Sequence, residues 1–111
     1  MGIELEPGEQ QLGKWIINFR PAQGGLIGGN LVVTATRILF EPKTNVGFST
    51  LYVDRQYKGV LAVPKSDVTD VTVEKSFLSK KVHVTLSDGD KLTFDNGAMS
   101  VDKVVDAINA R

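Results

Sequence analysis

Between residues 11 and 94 no apolar run extends beyond a few residues, and each is closed by Gly, Pro or a short polar turn. That rhythm constrains the fold most. Short β-branched and aromatic stretches separated by turn formers build antiparallel sheets, and none is long enough to span a membrane. Alternation along each run predicts its faces. In 11–20, Trp15, Ile17 and Phe19 fall on one side, with Lys14, Asn18 and Arg20 on the other, and Pro21 ends the strand. Residues 30–34 and 37–41 read as a hairpin joined at Ala35-Thr36, closed by Pro42, which has no N–H for a ladder. Further strands are predicted at 48–53, 60–63, 68–74 with Val71 and Val73 inward, 80–86 and 91–94, the register of 43–59 being left open. Ser87-Asp88-Gly89-Asp90 is a hairpin turn whose Gly89 can take a positive φ.

The last stretch has a different period. Val101, Val104, Val105 and Ile108 recur at helical spacing over about 100–110. Ser100 suits the N-cap, Met99 can staple onto Val104, and Asp102 and Arg111 suit the two ends of the dipole. A helix this short is marginal alone, so its stripe should be buried against the sheet. At 111 residues, with 41% hydrophobic and 23% charged, the chain suits one globular domain over 1–111, its strands at about 9–95. Cysteine is absent, which removes disulfides, thiolate metal sites and thiol nucleophiles and fits a reducing, cytoplasmic compartment. No basic segment precedes an apolar run, so no secretory signal is expected.

The wording of the strands resembles the GRAM branch of the pleckstrin-homology-like (PH-like) superfamily and related bacterial domains. Gly29-Asn30-Leu31-Val32-Val33-Thr34 followed by Arg37-Ile38-Leu39-Phe40-Glu41-Pro42 looks like that family's paired strands. Val63-Pro64-Lys65-Ser66-Asp67-Val68 looks like its apolar-Pro-x-x-acidic-apolar element, and Asp88-Gly89 with Phe94 like its later hairpin. The resemblance implies a mainly β fold with one C-terminal α-helix: a bent, seven-stranded antiparallel sandwich or partly open barrel capped by the helix. It also implies lipid-membrane or protein binding without catalysis, and leaves the ligand open, since one fold hosts many functions.

Two surfaces are candidate binding sites. The glycine-rich stretch 22–30 could present Leu26 and Ile27 to a membrane, with Arg20 nearby for a phosphate, at the end where PH-like domains commonly meet phosphoinositides. The same two side chains could instead fold back on the domain or meet a second protomer. The stretch is not a P-loop, because no Lys-Ser/Thr follows the glycines. Strand 30–34 carries none of the basic residues that phosphoinositide recognition wants. The second surface is Phe48, Tyr52 and Tyr57 interleaved with Arg55 and Lys58, a pattern of interface anchors that could equally lie partly in the core.

Residues 20–66 hold six cations against two carboxylates, which fits weak attraction to an anionic surface, although the whole chain is neutral. That neutrality argues against nucleic acid. His83 is the only histidine, turned outward with no carboxylate near it in sequence, so no metal or cofactor is expected. No nucleophile, base and orienter assemble. The expectation is therefore a non-catalytic module for protein interaction or self-association. The alternative is a peripheral module on anionic membrane lipid using 22–30 and the basic 20–66 segment.

Overall fold

The computed structural model describes residues 3–22, 24–43, 55–57 and 59–110. Its strands are β1 (Gln11–Arg20), β2 (Ile27–Thr34), β3 (Arg37–Pro42), the two-residue β4 (Gln56–Tyr57), β5 (Val60–Pro64), β6 (Val68–Lys75), β7 (Lys80–Leu86) and β8 (Lys91–Asp95). A single helix, α1 (Asp102–Asn109), follows. All neighbours are antiparallel in one sheet of order β4-β5-β3-β2-β1-β8-β7-β6. Seven strands of five or more residues and a closing C-terminal helix make the mainly β, bent antiparallel fold expected.

The bend lies in β1. This strand pairs with β2 from Gln11 to Phe19 but with β8 only through Asn18, Phe19 and Arg20. Phe19 therefore belongs to both halves of the sheet. Its ring sits 5.6 Å from Phe40 and 5.5 Å from Phe94, themselves 5.9 Å apart, all three fully buried. Around them pack Ile17, Leu31, Val33, Val63, Val82, Val84, Leu86 and Leu92. The predicted inward faces of β1, β7 and β8 are the ones observed.

The helix lays its stripe on β1 and β2. Val101, Val104 and Ile108 are buried with Ala107, and Val105 packs at their edge. Its ends differ from expectation. The N-cap is Val101 and not Ser100, which stands one residue before it and accepts from the Asp102 N–H at 3.1 Å through Oγ, and Met99 is 71% exposed and staples nothing. The C-terminal carbonyls are met from outside the helix. Buried Lys65, in the 3-10 turn Lys65–Asp67, donates from Nζ to Ala107 O at 2.7 Å and Ala110 O at 2.5 Å. Arg111, expected at that end, lies outside the described residues.

Two further corrections concern strands. β2 begins at Ile27, three residues earlier than predicted, because Gly28 and Gly29 extend the ladder to Asn18 and Ile17. Gly29 must lack a Cβ, which would run into the Glu41 carbonyl and come within 2.7 Å of the Phe40 ring. In β6, Val71 is half-buried against the core as expected, but Val73 is 39% exposed, so the predicted inward face is covered only in part. β6 is the last strand of the sheet: Val68 lies in the core, Val71 packs against it, and the strand leaves the core beyond. Gly89 has φ 94° in its turn, as expected. The predicted strand at 48–53 falls outside the described residues.

Candidate binding surfaces

The β1–β2 connection, Arg55 and the β7–β8 turn meet at one end of the sheet. Arg55 is mostly buried between Asp88 and Asp90, close against Asp88 and 3.6 Å from Asp90 Oδ2. The turn is preset for this role, since Asp88 Oδ1 accepts from the Asp90 N–H at 3.0 Å. That backbone bond, with Arg55 beside it, holds the Asp88 carboxyl below the usual range against the opposing effect of burial.

Arg20 ends β1 and donates from Nε to Asp95 Oδ2 at 2.7 Å. Burial opposes the Asp95 charge, but the Gly97 N–H, Arg20 and the Ser79 hydroxyl outweigh it and hold the carboxyl low. Both arginines singled out in the sequence are thus committed to carboxylates of the same chain. Leu26 is 52% exposed, as a docking tip requires. Ile27 is not beside it in the loop: it sits in β2 opposite Phe19 and packs against the core, because the ladder starts there. The expected two-residue wedge is therefore absent.

Tyr57 stands in β4 opposite Val60, whereas Phe48, Tyr52 and Lys58 lie outside the described residues. The aromatic and basic surface expected from Phe48, Tyr52, Arg55, Tyr57 and Lys58 is thus represented by Arg55 alone among described side chains. That side chain faces the β7–β8 turn.

An open groove of about 510 Å³ crosses the outer face of β6, β7 and β8, lined by Arg20, Glu74, Lys81, His83, Asp90 and Lys91. Here His83 acquires the carboxylate that its sequence neighbourhood lacks. Its Nε2 lies 3.0 Å from Glu74 Oε1 and its Nδ1 2.9 Å from Thr93 Oγ1. The register puts Thr72 opposite His83 and Lys81 opposite Glu74, so Glu74 is a diagonal neighbour across the hairpin. Counting outward positions back from the turn at 76–79 would have found it. The hydrogen bond from His83, then Lys81, lowers the Glu74 carboxyl.

The row Glu74, His83, Thr93 orders a surface. It lies on regularly paired sheet, where β7 bonds to a strand on each side. Among the described residues no three His, Asp or Glu side chains group as metal ligands. No buried side-chain nitrogen or oxygen among them lacks a hydrogen-bond partner. No helix among them is long and apolar enough to cross a membrane.

No family model matches this sequence, and no curated protein does either. A structural likeness is found with the C-terminal domain of an unknown protein from Leishmania infantum, at a TM-score of 0.66 and 18% identity. The match covers 92% of this chain and 83% of that one. At that identity the likeness establishes a shared fold, the bent sheet closed by a C-terminal helix.

Proposed function

We propose that this chain is a non-catalytic, GRAM-like binding module that recruits a protein partner, or a second copy of itself, by adding a strand to β6. The observation that carries this reading is the edge that β6 presents. It is eight residues long, it pairs only with β7 among the described strands, and from Thr69 onward it is largely uncovered. An unpaired edge offers a row of backbone donors and acceptors that a second extended chain satisfies at once. The opposite edge is the two-residue β4, too short to template anything. The β-branched run Val71-Thr72-Val73 suits pairing, and Asp70, Glu74 and Lys75 supply charge that would select partners.

A phosphoinositide reading at the β1–β2 end has less support, since Arg20 and Arg55 are satisfied by Asp95, Asp88 and Asp90. The test is amide hydrogen exchange with sedimentation velocity, on the protein alone at rising concentration and with a panel of extended peptides. Strand addition should slow exchange at alternate residues of 69–75. Thr72→Pro and Val73→Pro should separate. One removes an outward N–H and abolishes addition with the fold intact, while the other breaks the β7 ladder. A strict monomer, with unprotected β6 amides whatever peptide is present, would reject the reading.

A further inference from the structure

We infer that the tip of the β6–β7 hairpin is a docking point for the interfacial layer of an anionic lipid bilayer, a contact separate from the β6 edge. The tip reads Lys75-Ser76-Phe77-Leu78-Ser79-Lys80-Lys81. Turn tips ordinarily carry Gly, Asn, Asp or Ser. Here the two central residues are Phe77, 90% exposed, and Leu78, 74% exposed.

The turn that presents them is built to hold its shape. Ser76 N–H and Ser76 Oγ both donate to Ser79 O, at 2.8 and 3.1 Å, and Lys80 Nζ donates to Ser76 O at 2.7 Å. The apolar pair thus stands on a closed turn, at the end of a hairpin whose residues 72–79 have left the core.

A third exposed apolar side chain shares this end. Lys80 N–H donates to Gly97 O and Asn96 N–H to Lys80 O, which lays the β8–α1 connection beside the tip. On that connection Met99 is 71% exposed. The surrounding charge selects the occupant. Lys75, Lys80, Lys81 and Lys103 stand with the carboxylates Glu74, Asp95 and Asp102 at this end, Asp95 being paired to Arg20, while Lys75 lies 3.4 Å from Asp102 Oδ1 and Lys81 3.5 Å from Glu74 Oε2, so the cations remain in excess.

A convex apolar tip ringed by lysines fits a fluid interface. Phe77, Leu78 and Met99 would enter the boundary between head groups and acyl chains. The lysine stems would lie along it, with their ammonium groups at phosphate level. Three side chains give reversible attachment, so lipid charge should decide whether it is seen.

Sedimentation with vesicles tests this, using phosphatidylcholine alone and phosphatidylcholine with about one-third phosphatidylserine. The intact protein should pellet with the mixed vesicles, and raised salt should release it. The double variant F77S/L78S should lower the partition coefficient at least about tenfold, with its thermal unfolding unchanged because neither side chain is in the core. Replacing Lys75, Lys80 and Lys103 by Gln should also weaken binding, while Leu26→Ser should leave it intact. No pelleting with the mixed vesicles overturns the inference, as does undiminished pelleting of F77S/L78S. So does self-association lost in F77S/L78S with no vesicle binding, which would assign the tip to protein contact. Thr72→Pro and Val73→Pro report on the β6 edge, so failure of either surface is told apart from failure of the other.

Discussion

Glu9 reaches from the segment before β1 to the β2–β3 hairpin, where Arg37 donates from Nε to Oε2 at 2.7 Å and from Nη2 to Oε1 at 2.6 Å. The buried Thr34 hydroxyl donates to Oε2 at 2.7 Å, and the Glu6 N–H to Oε1 at 2.8 Å. The carboxylate side chain is 2% exposed, so each lone pair it keeps must be met. Chiefly through the Arg37 hydrogen bond, and against the cost of burial, its carboxyl is held at about 2, down from 4.5. The folded chain therefore resists a proton that the unfolded chain accepts. The stabilisation, up to about 3 kcal/mol, is fully present above about pH 5 and is lost as pH falls through 4.5 toward 2. Urea unfolding across that range should show a steep loss of stability on acidification. Glu9→Gln should flatten the loss and lower stability by about 1–3 kcal/mol at neutral pH, where it leaves Arg37 short of its counter-charge. An unchanged acid profile in the variant would place the titration elsewhere.

The helix is an element whose fate depends on a residue far away in sequence. Eight residues cannot hold a helix alone. Its buried stripe fixes one face, and Lys65 fixes its C-terminal end by satisfying two carbonyls where the dipole is negative. Lys65→Met keeps the stem and removes the ammonium, so those carbonyls lose their buried donor. The expected cost is about 1–3 kcal/mol. Amide exchange across Asp102–Asn109 should speed up more than exchange in β1 and β2. Equal acceleration everywhere would show that Lys65 supports the whole fold and not the helix end.

At the scale of the molecule, the two halves of the sheet are one cooperative unit because β1 serves both and Phe19 sits at the junction. Phe19→Ala would empty the centre of the Phe19, Phe40 and Phe94 cluster. It should cost about 3–5 kcal/mol, with Trp15 fluorescence and far-ultraviolet circular dichroism still moving together. Separate transitions for the two signals would mean that the halves unfold independently. The same geometry leaves two distinct exposed features on one hairpin, the β6 edge and the Phe77-Leu78 tip, on which the two proposed contacts rest.

Alternation and turn chemistry determined most of the strands, their inward faces in β1, β7 and β8, the Gly89 turn, and a helix needing a sheet to pack on. These are local properties, set by the period of the backbone and by residues next to one another in the chain. Which strand stands at an edge is not local. Val71 and Val73 alternate like core residues, yet β6 is an edge strand that leaves the core along its length, so Val71 is half-buried and Val73 exposed. Ile27 reads as loop because glycines surround it, yet the ladder with β1 draws it into the core. The candidate sites divided in the same way. Arg20 and Arg55 read as free cations because Asp95 lies 75 residues from the first and Asp88 33 from the second. Lys65 gave no sign of serving a helix more than 40 residues away. Tertiary structure decided these points, because pairing energies depend on contacts that bring distant residues together, and periodicity carries no information about which partners those are.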